Sequence, residues 1–459
     1  MSIIYNALSG TQAAQVALTA ASQNISNVMT PGYTRQGALL ASVQPLQAGV
    51  RSPGSGVTVT SLLRFSDTYK SLQLWNAASE LGQRNTAQPY LTQLEQVMGD
   101  DESGINSGLD TFFGALNAAS VEPTSSPLRQ QVITSADALA QRFNSLSQVL
   151  SNQRASVTQQ RTTTVSQINT VSAQVADLNE KIVSAQALGV TVSGLIDARD
   201  NKIDELAGIV SLQVVDQPDG SRSVSLRGGQ PLVVGARAAT MTAQGNPDGS
   251  QTLTVDFANE SFTLANNKLG GQMGGLDDFE NGTLVPLMQS ITDMAQQLTD
   301  NVNNQLAAGY TPGGTPGAPL FQFNATGTTG VLSIRPGVLS DDLAFSSDPT
   351  KPGNSDNLTA LIGLQTQPVT LPALGSVSLS DAVTQLVAQL GMNSQQNNTA
   401  LSTASTVRDQ AEESWKSTSG VNLDEEAANL IQYQQMYQAN MKVVAVANEL
   451  FDSTLAVLS

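Results

Sequence analysis

The sequence predicts an elongated α+β protein of several domains. Helical patterns occupy both ends of the chain, and β-type patterns lie in its middle. The 459 residues are about three times the usual length of a single domain, which indicates two to four packed units. The two ends can pack together only if the chain runs out and returns. We therefore expect paired N- and C-terminal helices in a coiled-coil-like terminal domain, a long-helix bundle domain, and inserted small β domains.

The first element is a helix from about Ser2 to Val28 that contains no charged residue. Pro31 and Gly32 follow it, and both residues stop helices. From Tyr33 to about 63 the pattern changes to short apolar runs broken by proline and glycine, which predicts an extended, β-containing connector.

Long helices are predicted next, at about 66–98 and 105–119 and again after Pro127. Beyond Pro127, apolar residues recur mostly every three or four positions, and the phase slips near Thr164. One continuous helix over this stretch would be about 75 Å long, which favours an elongated molecule.

The residue pattern in the middle of the chain predicts strands. Two pairs of short β-type runs flank the turns Pro218-Asp219-Gly220 and Pro247-Asp248-Gly249, which indicates one small β domain with two hairpins. A helix is expected from about 284 to 308. A Gly/Pro-rich stretch at 309–319 then leads to short strands through about 374, which we interpret as a second insertion.

The C-terminal helix has the most regular pattern. Helix is predicted from Ser380, interrupted at Ser419-Gly420-Val421-Asn422. Eleven positions from Leu423 to Leu458 then alternate steps of four and three, and nine of them are apolar. This seam fits either a terminal helix docked on its own core or an oligomerising coiled coil.

These patterns predict four regions. Residues 1–62 with 410–459 form a terminal helical assembly domain, and residues 63–188 with 280–309 and 375–409 form the long-helix bundle. Residues 189–279 form a β-rich inserted domain, and 310–374 form a β-rich or irregular insertion. Because an Ala-rich helix buries little apolar surface, we expect the terminal domain to be disordered in the monomer and to fold on assembly.

The composition excludes most catalytic chemistry. The chain has no Cys and no His, which excludes disulfides, thiolate nucleophiles, the usual zinc sites and imidazole-based catalysis. Its formal net charge of -17 opposes binding to nucleic acid or acidic lipid. No apolar stretch is long enough to span a bilayer, and no Lys or Arg precedes Arg35. We expect a soluble protein without a cleaved signal peptide, whose export would use an uncleaved signal.

The remaining candidates for chemistry have simpler interpretations. The acidic cluster Asp100–Glu102 fits a solvated turn better than a calcium site. Asp197, Arg199 and Asp200 on one helix fit exposed ion pairs or a helix end better than a catalytic acid. The glycines at 270–275 fit a turn or close backbone packing better than a phosphate loop. We predict no catalytic, cofactor or metal site.

Two terminal motifs resemble those of bacterial flagellar rod, hook and hook-associated proteins. The N-terminal motif consists of ALSG at 7–10, AASQNISN at 20–27 and TPGYTR at 30–35. The C-terminal motif is SGVNLDEEAANL at 419–430, followed by Tyr433-Gln434 and Tyr437 with Ala439-Asn440. Two matching ends identify the chain as a member of this axial protein family.

Interior segments are similar to the hook-associated branch of that family. These are FFGAL at 112–116, LIDARD at 195–200 and GGQMGGL at 270–276. The resemblance implies a non-enzymatic ring of subunits at the hook-filament junction, exported without cleavage by the flagellar type III apparatus. The implied partners are other copies of the chain, the hook protein, the second junction protein and an export chaperone on the C-terminal helix. A hook or rod protein, or a surface-exposed adhesive binding module, is the alternative.

On this interpretation the assembly interface lies on the terminal helices and their motifs. The residues expected to form it are Leu8, Leu18, Asn24, Ile25, Asn27, Pro31, Gly32, Tyr33, Leu423, Leu430, Tyr437, Met441, Val444, Phe451 and Leu455.

Overall fold

The computed structural model describes residues 2–44, 54–100, 104–265, 268–324 and 330–458. Long helices dominate these residues, and five small antiparallel sheets accompany them. The fold class predicted from the sequence is confirmed. No helix in the described part of the chain is both long enough and apolar enough to cross a membrane.

The helices are α1 (Ser2–Ser26), α2 (Thr68–Met98), α3 (Ile105–Val121), α4 (Ser126–Ala187), α5 (Ser193–Ile209), α6 (Gly271–Phe279), α7 (Val285–Ala307), α8 (Asp356–Gly363), α9 (Leu379–Ser419) and α10 (Leu423–Leu458). The first strands are β1 (Gln36–Ser42), β2 (Val57–Arg64), β3 (Leu212–Asp216), β4 (Arg222–Leu226), β5 (Pro231–Val234) and β6 (Arg237–Ala238). The others are β7 (Thr240–Gly245), β8 (Gln251–Phe257), β9 (Glu260–Thr263), β10 (Phe321–Phe323), β11 (Leu332–Ile334), β12 (Val369–Leu371) and β13 (Gly375–Val377).

Helix α4 connects two hydrophobic cores. Its 62 residues span about 93 Å, and it runs without a break past Thr164, where the apolar pattern changes phase. Side chains from Val132 to Val157 are buried in the first core, and those from Val165 to Ala176 are buried in the second. One continuous helix therefore sets the distance between the two cores.

The first core lies among α2, α3, α4, α7 and α9. The short strands after residue 320 share it, because Phe321, Leu332 and Leu371 are buried in the same cluster. The Phe321 ring packs edge-on against Phe112 of α3, with 5.7 Å between ring centroids. The predicted second insertion thus buries its apolar side chains in the helical bundle.

The second core joins α5 and the C-terminal half of α4 to two sheets, ordered β3-β4-β5-β6 and β7-β8-β9. Both predicted hairpins form. Asp219 accepts hydrogen bonds from the backbone N–H and hydroxyl of Ser221, and Asp248 does the same with Ser250. These bonds hold the pKa of both carboxyls below the ordinary value.

The glycines at 270–275 serve close backbone packing, as expected. Gly271 has a φ of 57°, and a Cβ there would lie 2.4 Å from the carbonyl carbon of Ile209. A Cβ on Gly275 would lie 2.3 Å from the backbone oxygen of Gln83. Only glycine allows α6 to approach α2 and the end of α5 this closely.

A π-helical turn, Glu280–Leu284, joins α6 to α7. Glu280 is buried, and its carboxylate pairs with Arg154 at 3.2 Å and with Arg161 at 2.6 Å, both on α4. Arg154 also donates to the backbone oxygen of Asp248 in the β7–β8 turn. This cluster ties the π-helical turn, α4 and the β sheets together.

A nearby carboxyl makes the stability pH-dependent. Asp277 is 5% exposed, and burial raises its pKa above the ordinary 3.8 against the lowering effect of a hydrogen bond from Asn281. The folded chain therefore holds this proton more tightly than the unfolded chain. The stabilising contribution is full below the unfolded pKa and is lost as the pH rises through the folded pKa.

We expect Asp277→Asn to melt at a higher temperature than the parent at pH 7, and the difference to vanish near pH 4. The amide oxygen of asparagine can still accept the bond from Asn281, so the buried charge is the main change. Melting curves of both proteins from pH 4 to pH 8 measure this. A variant that melts below the parent at pH 7 would contradict the assignment.

Candidate functional site

The two ends of the chain form an antiparallel helix pair, α1 with α10. Ile3 lies beside Val446 and Leu450, whereas Arg35, just past the other end of α1, contacts Glu425 in the first turn of α10. The contact face of α1 is made of small residues. A Cβ on its Gly10 would lie 2.7 Å from Oδ1 of Asn440, so the two helices are closely packed there. The chain returns to its starting point, as the hairpin architecture requires.

The residues of the predicted seam divide into two groups. On α10, Leu430, Tyr437 and Val444 are half-buried, whereas Leu423, Met441, Phe451 and Leu455 are exposed. On α1, Leu18 and Ile25 are half-buried and Leu8 is 47% exposed. The paired helices thus present an apolar surface that the chain itself does not cover.

Asn24 organises the end of α1. Its side chain is fully buried, and its Nδ2 donates to the backbone oxygen of Gln36 at 2.8 Å. Its Oδ1 accepts from the backbone N–H of Gln36 and from the Tyr33 hydroxyl, each at 2.9 Å. One asparagine therefore fixes the start of β1 against the helix. Asn27, one turn further along the chain, donates to the backbone oxygen of Gln23 in the last turn of α1.

The turn after α1 rests on α5. Asn201 donates to the backbone oxygen of Pro31 at 3.2 Å, and the Thr34 N–H donates to Oδ2 of Asp197 at 3.1 Å. Gly32 has a φ of 70°, and a Cβ there would lie 1.7 Å from Oδ1 of Asn201. Glycine is thus required at position 32 by a left-handed backbone and by contact with a neighbouring helix.

Arg35 joins the two terminal motifs. Its backbone N–H donates to the backbone oxygen of Ser419 at 2.8 Å, and its guanidinium pairs with Glu425 at 2.8 Å. The guanidinium also lies 4.6 Å from the centre of the Phe65 ring. We call this meeting point of α1, β1, β2, α5, α9 and α10 the motif junction, defined by Asn24, Thr34, Arg35, Asp197 and Glu425.

The interpretation of Asp197, Arg199 and Asp200 as exposed ion pairs is wrong. Asp197 and Arg199 are 6% and 3% exposed. Arg64 of β2 pairs with Asp197 at 2.8 Å and with Asp200 at 3.0 Å, and Arg222 of β4 pairs with Asp200 at 2.6 Å. The strands β2 and β4 thus each bring an arginine to the carboxylates of α5. Burial also lowers the pKa of Arg199, against the raising effect of Asp200.

Sequence reasoning missed Arg64, Arg222 and Lys70. Lys70, at the start of α2, donates to the backbone oxygen of Ser414 at 2.9 Å and to the Thr418 hydroxyl at 2.6 Å. Apart from Asp216, which pairs with Arg222 across one hairpin, their partners are distant in sequence, so no local pattern marks them. Their rarity could have marked these basic residues as candidates, because the whole chain has only 21 Lys and Arg residues.

The motif junction holds elements together. Its carboxylates each pair with an arginine or accept from a backbone N–H, and within the described ranges no group of three acidic side chains could hold a metal ion. Asp101 and Glu102 of the predicted acidic turn lie outside the described residues.

Comparisons with known proteins agree with this geometry. Residues 91–321 match the family "Flagellar hook-associated protein FlgK helical domain", and residues 417–457 match "Flagellar basal body rod FlgEFG protein C-terminal". The flagellar hook-associated protein 1 of Salmonella typhimurium is 26% identical, over 99% of both chains. That of Bacillus subtilis is 26% identical over 96% of this chain and 95% of its own.

A solved structure is also similar. The flagellar hook junction protein FlgK from Burkholderia pseudomallei superposes with a TM-score of 0.52 and 31% identity. The match covers 55% of this chain and 47% of that one. Since the helical-domain match alone spans half of the sequence, the chain belongs to the FlgK family of flagellar hook-associated proteins, which are structural components of the flagellum and not enzymes.

Proposed function

We propose that this chain forms the ring of subunits that connects the flagellar hook to the filament. In this role it lies between the hook protein and the second junction protein, outside the cell, after export through the flagellar type III apparatus. The names of its relatives support the location. The observation that carries the proposal is the α1–α10 pair, which is fixed to the body at the motif junction but leaves apolar side chains exposed.

The C-terminal turns of α10 are mostly exposed. Leu450 lies beside Ile3 near the start of α1, and α10 continues from there to Leu458, roughly 12 Å further. Leu450, Phe451 and Leu455 are 60%, 61% and 51% exposed. Burying each in a neighbouring copy would contribute about 2 kcal/mol.

The proposal also assigns roles to regions of the chain. Residues 1–62 with 410–459 act as one assembly domain that is disordered before assembly and orders against neighbouring subunits. Such ends suit passage through a narrow export channel. The same exposed apolar face of α10 suits an export chaperone that covers it before secretion. The rest of the chain forms the bundle, the β-rich domain and the second insertion with the predicted boundaries.

We expect Phe451→Asp to reduce the number of hooks that carry a filament, because it places a charge where a neighbouring copy would pack. Since Phe451 is exposed in the single chain, the purified variant should melt like the parent. Ser453→Asp is the matched control, because it adds the same charge at an exposed polar position of α10. Electron microscopy and an assay of released flagellin measure the effect. Normal filament numbers in the Phe451→Asp strain would count against the proposal.

A further inference from the structure

The exposed face of α4 carries no charge over a long distance. Between Gln141 and Gln174, 16 residues are exposed, and each is Ser, Thr, Gln, Asn or Ala. This face is about 50 Å long. The arginines of the same stretch are not among these exposed residues, because Arg161 is buried and Arg154 pairs with Glu280. Arg142 is half-buried and donates to the backbone oxygen of Gly104.

Helix α9 has a second face of the same kind. Between Thr384 and Val407, 14 residues are exposed, and none is charged. This face is about 35 Å long. The two uncharged faces are defined by these bounds, 141–174 on α4 and 384–407 on α9.

Charged residues are fewer on the two faces than the composition predicts. At the chain-wide charged share of 13%, about four of these 30 exposed residues would be charged, and charges concentrate at surfaces. On α4 and α9 themselves, exposed carboxylates lie just beyond these bounds, at Asp177, Asp381 and Asp409. Every other helix of the body, α2, α3 and α5 to α8, also exposes at least one carboxylate. Examples, in chain order, are Glu80, Asp110, Glu205, Asp278, Asp300 and Asp356.

The threonine hydroxyl groups on both faces are already satisfied. On α4, Thr162, Thr163 and Thr170 donate to the backbone oxygen four residues earlier. On α9, Thr399 and Thr403 do the same. A buried hydroxyl without a partner is costly, so these internal bonds lower the cost of covering either face.

The two faces lie on helices with different neighbours. Helix α9 packs along α2, whereas α4 packs on α3 and α5. A head-to-tail ring needs two distinct surfaces on each copy, because each copy then meets its two neighbours through different surfaces.

We propose that the uncharged face of α4 in one copy packs against the uncharged face of α9 in the next copy of this chain. The inference rests on the proposed ring. Identical copies that each carry a formal charge of -17 repel one another, so they approach most readily where charge is absent. The shorter face covers roughly 350 Å² per copy, against the roughly 800 Å² typical of a stable complex. The contact therefore forms in the assembled ring and supplements the terminal helices.

Cysteine cross-linking tests this contact, because the chain has no native Cys. Three exposed positions on each face serve as attachment points, Gln148, Gln159 and Thr170 on α4 and Gln385, Gln396 and Thr403 on α9. Each chain carries one Cys on each face, and purified flagella are treated with a short bismaleimide. The control chain carries Val121→Cys and Leu188→Cys, which lie in exposed positions outside both faces.

We expect at least one α4/α9 pair to give a ladder of dimers, trimers and longer products in flagella. The same protein as a free monomer, the control chain and both single-Cys chains should give none. A dimer from a single-Cys chain would show that like faces meet and would overturn the proposal. So would the absence of any ladder in flagella that contain the variants. Absence of the chain from the purified flagella would instead contradict the proposed junction role.

Discussion

Asp197→Asn is expected to lower the free energy of unfolding by about 3 kcal/mol. Asp197 is 6% exposed and neutralises Arg64, whose side chain is 14% exposed. The asparagine can still accept from the Thr34 N–H, but it leaves Arg64 with Asp200 as its remaining counterion. Asp200 already pairs with Arg222, so the buried site would then hold more positive than negative charge.

The matched control is Asp177→Asn on α4. Asp177 pairs with Lys181 on the surface, where both side chains are more than half exposed, so its loss should cost less than about 0.5 kcal/mol. Denaturant unfolding followed by tryptophan fluorescence measures both variants, because Trp75 lies 5.5 Å from the guanidinium carbon of Arg222. Arg64 and Asp197 both lie outside the proposed terminal domain, so their ion pair is expected in the purified chain as well. Equal midpoints for the two variants would contradict this buried pair.

Glu280→Gln is expected to cost about 3–5 kcal/mol. The glutamate is 3% exposed and is the shared counterion of Arg154 and Arg161, and Arg161 is 1% exposed. The amide of glutamine cannot neutralise either guanidinium. Arg161 would then have only neutral acceptors, the amide oxygen of the new glutamine and the side chain of Gln251 at 3.2 Å.

Glu80→Gln provides the comparison for this variant, since Glu80 pairs with Arg84 at 2.8 Å while 51% exposed. Its loss should change the melting temperature little. Calorimetry should show that Glu280→Gln lowers the transition that includes the second core. A Glu280→Gln protein that melts within a degree of Glu80→Gln would reject the role of the buried cluster.

The sequence was informative where structure follows local patterns. Helix α10 begins at Leu423, as its heptad spacing predicts, and α9 ends at Ser419, just before the Gly-Val-Asn break. Both hairpins form where Pro-Asp-Gly turns separate alternating runs. These features depend on residues within a few positions of one another.

The candidate site was predictable in part. The terminal motifs pointed to Asn24, Pro31 and Tyr33, but not to their contacts. The local sequence around Asp197 indicates an exposed helix. The residue that covers this carboxylate, Arg64 of β2, is distant in sequence. A heptad pattern is also the same whether a helix packs on its own chain or on a neighbour, so the seam on α10 did not reveal its partner.

Electron microscopy of a strain that lacks this gene, with the medium assayed for flagellin, tests the central claim most directly. The account predicts complete hooks without filaments and flagellin released into the medium. Reintroducing the gene should restore the filaments. Normal filaments in the deletion strain, or the absence of hooks, would contradict a role at the hook-filament junction.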